Sequence, residues 1–221
     1  MRKLFVTAAV LPLLAFSGPA PADTSLGLRG GTLGGGAELS YALSQRAAVR
    51  LNADGYTRKD THDEDNIQYE AKLKLQTVSL LGDLFPFANN FRISLGAMFN
   101  GNKLTIKGQP SGGTFTVNDR TYTAAEVGSL DAKVDFNKAA PYFGIGYGRP
   151  INGGLSLIFD AGVMFQGSPK SKIDVTCGSA ATPSQCAQLR SDAQAEQSRL
   201  DDSLHNLKYY PVISLGLAYT F

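Results

Sequence analysis

From residue 209 to residue 221 the chain reads YYPVISLGLAYTF, with large apolar side chains at every second position. Tyr209, Pro211, Ile213, Leu215, Leu217, Tyr219 and Phe221 share one face; Tyr210, Val212, Ser214, Gly216, Ala218 and Thr220 share the other. A period of two belongs to an extended strand with unlike faces. The pattern recurs in RAAVRLNADGY (46–56), IQYEAKLKLQT (67–77), FRISLGAMFN (91–100), PYFGIGYG (141–148) and GLSLIFDAGVMFQ (154–166). TSLGLRG (24–30) and GGAELSYALS (35–44) read as a shorter hairpin, with GTLG (31–34) either its tight turn or a flexible stretch within one long strand. Eight antiparallel strands result. A count of ten, with extra strand drawn from 114 to 135, is the alternative.

Two environments give such alternation: the space between the sheets of a soluble sandwich, or the wall of a membrane barrel. Length favours the barrel, because a tilted crossing takes about 9 to 11 residues and several segments supply them. Aromatic placement agrees. Tyr69, Tyr147, Tyr209, Tyr219 and Phe221 lie on the apolar face near strand ends, as girdle residues do at a headgroup layer. The connections also alternate in length. Short turns at 44–45, 88–90 and 151–153 interleave with long polar segments at 58–66, 108–136 and 167–206, the rhythm of short periplasmic turns and longer outer loops.

The other face carries charge. Arg29, Glu38, Arg50, Asp54, Glu70, Lys72, Lys74, Arg92 and Asp160 sit opposite the apolar residues. In a narrow closed barrel they point inward and pair across the lumen, since an unpaired charge there costs several kcal/mol. Gly144, Gly146, Gly162 and Gly216 leave them room. The expected fold is an all-β, eight-stranded antiparallel transmembrane β-barrel with a short helix in the last extracellular loop. The helix is read from SQCAQLRSDAQAEQSRLDDSLHNL (184–207), where Leu189, Ala193, Gln197, Leu200 and Leu204 form a weak stripe. It is expected to pack on the barrel mouth.

The first residues are separable from the fold. Arg2 and Lys3, an apolar run from Leu4 to Phe16, and Ala20 and Ala22 before Asp23 read as a signal peptide over 1–22, leaving the barrel at 23–221. That run is shorter than the roughly 20 residues of a membrane helix. Arg2 and Lys3 are two of the 21 basic residues, whereas all 19 acidic ones lie beyond Ala22. The mature chain is therefore balanced, without the field that draws nucleic acid. Cys177 and Cys186 are the two cysteines, and after export their separation through Gly, Ala and Pro suits a local disulfide. No metal or other cofactor is expected: the acidic run at 63–66 reads as a solvated loop rather than a Ca²⁺ site.

The signal peptide, the alternating strands and above all the ending LGLAYTF resemble the bacterial outer-membrane β-barrel proteins, most nearly the small OmpA, OmpX and OmpW-like barrels. The resemblance implies the outer membrane of a Gram-negative bacterium and outer-membrane lipid and lipopolysaccharide as surroundings. It implies a monomer, and assembly through periplasmic chaperones and the barrel-assembly machinery, with Leu215, Leu217, Tyr219 and Phe221 carrying the recognition. It leaves function open. A structural or narrow-channel role for small solutes stands first, with surface adhesion or interaction through the long outer loops as the alternative. A lipid-modifying enzyme stands last: only His62 and His205 offer a base, both in polar loops, and no compact catalytic signature is present.

Overall fold

A computed structural model of the protein describes residues 24–64, 67–110, 112–151 and 153–221, without the side chains of 62–67, 110 and 115. The expected signal peptide lies outside the described residues, as do the side chains of His62 and of the acidic run that follows it.

The strands are β1 (Thr24–Gly31), β2 (Gly34–Ser44), β3 (Ala47–Glu64), β4 (Ile67–Leu84), β5 (Phe91–Asn100), β6 (Lys103–Pro110), β7 (Thr114–Val117), β8 (Arg120–Thr123), β9 (Val127–Asp135), β10 (Ala139–Tyr147), β11 (Gly154–Phe165), β12 (Lys170–Cys177) and β13 (Tyr209–Thr220), with helix α1 (Pro183–Leu204) between the last two. Eight of them close a ring. The order β1-β2-β3-β4-β5-β10-β11-β13 returns to β1, every pairing antiparallel. Closure satisfies each edge, as a membrane-spanning sheet requires. The GTLG stretch is the tight turn between β1 and β2, and the short turns gather at the opposite rim.

The outward side chains form the lipid-facing belt. Leu28 is 70% exposed, Leu155 72%, Leu80 59% and Leu95 59%, all on ring strands. A continuous apolar band of this kind is costly in water and favourable in hydrocarbon. Phe165 meets Tyr209 edge-on at 5.6 Å at the outer margin, and Tyr219 meets Phe221 at 5.2 Å at the inner one.

The strands do not stop at the membrane. Thr77 pairs with Asn100 in the barrel wall, and Lys74 pairs with Lys103 three residues farther out, so β5 and β6 run along β4 in one register. In the same way β9 continues β10 along β6 and β5. Between β11 and β12 the pairing slips by one residue. Beyond the barrel, β3, β4, β6, β9 and β12 form a five-stranded outer sheet, while β1, β2 and β13 end low. The segments 108–136 and 167–206, expected as loops, hold β7, β8, β9, β12 and α1. The extra strand that the ten-strand alternative drew from 114–135 exists, but outside the ring, which stays at eight.

On leaving the membrane the two faces exchange character. In β4, Val78, Leu80 and Leu84 point outward within the barrel, whereas Lys72 and Lys74 hold the outward positions above it. Tyr69, Ala71 and Leu73 then continue the lumen side. Below the boundary the outer surroundings are acyl chain, and above it they are water, so each strand inverts its polarity to match. The expected placement of Tyr69 in a girdle and of Glu70, Lys72 and Lys74 in the lumen is thereby corrected. The crossing part of this strand is 77–84, not 67–77.

Helix α1 starts on a capping box, Thr182 with Gln185, and carries Pro183 in its first turn. Its buried residues include Leu189 and Ala193, two members of the expected stripe. Gln197, a third, accepts from the Ile173 backbone N–H at 3.1 Å through Oε1. The Cys177–Cys186 disulfide ties the end of β12 to the first turn of the helix.

Candidate functional site: a sealed lumen and a covered outer mouth

The inward side of the ring brings three guanidinium groups and four carboxylates together. Arg50 on β3 is fully buried and lies between Asp160 on β11 and Asp83 on β4. Its Nη1 donates to Asp160 Oδ2 at 2.7 Å and its Nη2 to Asp83 Oδ1 at 3.0 Å. Arg92 donates through Nη2 to both Asp160 oxygens at 3.0 Å, and through Nη1 to the Gly148 carbonyl at 2.7 Å. Arg29 reaches Asp54 at 3.0 Å, and Glu38 and Asp160 at 3.4 Å. Glu38 also pairs with Arg50 at 3.2 Å and accepts from Ser40. Asp160 is the hub, touching all three arginines.

Alternation and curvature explain why these residues meet. Each sits at an inward parity on its strand, and a ring of eight strands is narrow enough for opposite walls to touch through side chains. Small residues make the space. A Cβ at position 146 would lie 2.8 Å from both Arg92 Nε and Asp160 Oδ1, and one at 216 would lie 2.9 Å from Arg29 Cβ. Glycines 144 and 162 serve another side chain, the ring of Tyr142. Of the residues expected to line the lumen, Arg29, Glu38, Arg50, Asp54, Arg92 and Asp160 are brought together. Glu70, Lys72 and Lys74 are not. Asp83 and Ser94, whose hydroxyl donates to Asp83 at 2.5 Å, complete the network unforeseen.

Two further layers close the barrel. Toward the outer rim, Leu33, Leu81, Met98, Tyr142, Met164 and Val212 form an apolar plug. Leu33 reaches it from the β1–β2 turn, only 3% exposed although it sits at a turn tip. The turn is held in place by Thr32, whose carbonyl accepts from Tyr210 Oη at 2.6 Å. At the inner rim Phe85 is wholly buried, with the Arg149 guanidinium 5.7 Å from its ring centroid. Arg149 also donates to the carbonyls of Ala88 and Gln45, joining three turns. Neither residue stands out in the alternation pattern, because both lie in turns.

The outer mouth is covered on one side. Helix α1 lies over the lumen-side face of the outer sheet, where Leu189 packs with Val117, Tyr122 and Val127, and Leu130 and Val175 lie against them. Hairpin β7–β8 clasps the helix. Asp192 on α1 accepts from Tyr122 Oη at 2.5 Å, from Asn118 Nδ2 at 3.2 Å and from Gln188 Nε2 at 3.1 Å. Burial and the bond to Asp192 push the Tyr122 hydroxyl up to about 12. The same bond, helped by Asn118, holds the Asp192 carboxyl below its ordinary value. Beside this clasp is a cavity of about 400 Å³, floored by Tyr69, Leu130 and Ile173 and rimmed by Asn118, Glu196 and Arg199. His205 is exposed at the end of α1, and Ser203 donates to the Arg199 carbonyl.

No protein-family profile matches the chain, and neither does any curated protein. Solved structures do. CarO of Acinetobacter baumannii superposes with a TM-score of 0.55 at 19% identity, over 90% of this chain and 98% of that one. CarO2 of the same organism gives 0.55 at 15% identity over the same shares. A major outer membrane protein of Thermus thermophilus superposes more loosely, at 0.44 and 15% identity, again over 90% of this chain and 98% of that one. At these identities the CarO likeness is one of fold. The fold is an eight-stranded transmembrane barrel.

The inward pairing of the seam strands completes the site. β13 is bonded on both sides, to β1 and to β11, and by alternation Leu215, Leu217, Tyr219 and Phe221 lie on its outward face, each about half exposed.

Proposed function

We propose that the protein is an outer-membrane β-barrel of a Gram-negative envelope whose barrel is a sealed anchor, and whose working surface is the outer sheet with its helix and hairpin. One observation carries this reading: Asp160, reaching across the lumen to Arg29, Arg50 and Arg92, closes the axial path that a ring of eight strands offers. A structural or surface-interaction role follows more directly than conduction. The cavity beside α1 and the clasped hairpin are the parts shaped for contact with something outside.

The cellular setting rests on the lipid-facing belt and on the outward apolar residues of β13, which the barrel-assembly machinery would read. Kinship with the OmpA, OmpX and OmpW-like barrels in particular rests on the signal-peptide pattern, the alternating strands and above all that terminal pattern. Refolded protein in a planar bilayer tests the sealed-anchor reading. Closed barrels, verified by heat-modifiable migration, are expected to pass no discrete current, and unitary steps from the wild-type chain would overturn the proposal in favour of a narrow channel.

A further inference from the structure

The outward face of the outer sheet carries an ordered band of lysines immediately above the membrane. Register places Lys59, Lys72, Thr105, Lys133 and Lys172 side by side across β3, β4, β6, β9 and β12. The row nearer the membrane is Thr57, Lys74, Lys103, Asp135 and Lys170. Asp135 is the one carboxylate in the two rows, and it pairs with Lys103 at 3.3 Å. One row farther out the sign reverses, to Thr61, Glu70, Lys107, Asp131 and Asp174, and there Asp174 accepts from Lys172 Nζ at 2.7 Å.

Directly opposed like charges on neighbouring strands repel, with Cβ atoms about 5 Å apart. Lys59 faces Lys72, Lys74 faces Lys103, and Lys133 faces Lys172. A sheet that concentrates positive charge into two rows, when alternating signs would cost nothing, is matched to an anion outside the protein. The depth identifies which one. Lys74 stands four residues beyond Val78, the last outward apolar residue of β4, and Lys103 four beyond Phe99 of β5. Four residues span about 13 Å of strand, or roughly 9 Å along the membrane normal at a tilt of about 45°. A headgroup layer is about 5–8 Å deep, so the nearer row stands at its outer edge.

Given an outer-membrane location, we infer that these two lysine rows bind the phosphates of the lipopolysaccharide-type lipid of the outer leaflet, fixing the tall side of the barrel against the membrane surface. The row of carboxylates above sets the limit of the contact.

The test uses the full mature chain refolded in a non-ionic detergent, titrated with bis-phosphorylated lipid A and with a phosphate-free glycolipid of the same acyl content. Wild-type protein is expected to retain lipid A at least about tenfold more tightly than the glycolipid, and to lose that preference in high salt. The variant K72Q/K74Q/K133Q/K172Q is expected to lose the preference, while arginine at the same four positions keeps it. Removing like charges also leaves the quadruple Gln variant as stable as wild type or more so in lipid-free detergent, with no further gain from lipid A. Equal retention by wild type and the Gln variant would overturn the inference, as would equal binding of the glycolipid. A chain that folds without detergent and shows no heat-modifiable migration would instead overturn the outer-membrane reading.

Discussion

Arg50 Nη1 and Asp160 Oδ2 lie 2.7 Å apart, on strands that stand diametrically opposite in the ring of eight. A single ion pair therefore spans the whole lumen, and Asp160 neutralises Arg29 and Arg92 as well. Breaking a buried pair by removing one partner costs about 3–5 kcal/mol, because the remaining charges stay buried without compensation. Asp160→Asn is expected to destabilise the folded barrel by about that amount in urea, read from loss of heat-modifiable migration. Adding Arg50→Met to it should recover part of the loss, since both members of the central pair are then gone. Strict additivity of the two substitutions would show that the pair does not couple.

The charge layer and the apolar plug seal in series, which predicts how a path would open. Arg50→Ala with Arg92→Ala leaves the plug of Leu33, Met98 and Tyr142 intact, and bilayer recordings of that variant are expected to stay silent. Leu33→Gly with Met98→Ala leaves the arginines in place and should also be silent. Only the combination of all four, with Phe85→Ala opening the inner rim as well, is expected to conduct. Its current should favour cations, because Arg29 is then left as the single guanidinium among Glu38, Asp54, Asp83 and Asp160. Conduction by either double variant would mean that one layer is dispensable.

The clasp between hairpin and helix has a defined pH window. The Tyr122 hydroxyl is raised to about 12, so its contribution is complete below about pH 10, the ordinary phenol value, and is lost as pH rises through about 12. The Asp192 carboxyl is depressed, so its contribution is present above about pH 4 and is lost as pH falls through the lower folded value. A difference titration of tyrosinate absorbance, wild type minus Tyr122→Phe, should isolate one late-ionising phenol. A step near pH 10 in that difference would place Tyr122 in open water.

How much of this was legible in the sequence divides along the membrane boundary. Within the bilayer, alternation alone assigned the faces of β5, β10, β11 and β13 correctly, because lipid on one side and a narrow lumen on the other leave one choice per residue. Above it the same rule gives the wrong face. Tyr69 to Leu75 alternates as cleanly as a crossing segment, yet its apolar side turns inward. The signal was present: apolar parity in β4 changes from odd to even between Leu75 and Val78, and in β5–β6 from odd to even between Phe99 and Leu104. Such a change marks the point where the outer surroundings turn from hydrocarbon to water. Leu33 and Arg149 had no comparable mark, since a turn residue folding into a barrel depends on contacts between distant segments rather than on periodicity.

The disulfide offers a local test of the outer assembly. Cross-linking a loop of about 10 residues restricts the open state by about 2–3 kcal/mol, and this one joins β12 to the first turn of α1. Farther along, the helix is held independently: Asp201 Oδ1 accepts from the Ser171 N–H at 2.7 Å. Cys177→Ser with Cys186→Ser should therefore leave the barrel heat-modifiable as before and expose residues 178–190 to limited proteolysis, while the later part of α1 stays protected. Loss of barrel migration in that variant would mean that the outer sheet and the ring fold as one unit.

Tyr142 closes the lumen by lying across two glycines. A Cβ at position 144 would stand 2.3 Å from its hydroxyl oxygen, and one at 162 would stand 2.5 Å away. Either Gly→Ala substitution forces the ring to move inside a filled lumen, and overpacking of this sort costs about 1–3 kcal/mol. Tyr142→Phe removes the oxygen that each new methyl meets first, but the ring carbon behind it would still be 2.8 Å from a Cβ at 144 and 2.7 Å from one at 162. Combining Tyr142→Phe with Gly162→Ala is therefore expected to recover part of the loss and not all of it, measured as a coupling between the two substitutions in urea unfolding. Full recovery would assign the whole cost to the hydroxyl. No recovery would assign the cost at 162 to the Phe143 carbonyl, which stands 2.6 Å from the same Cβ, rather than to the ring.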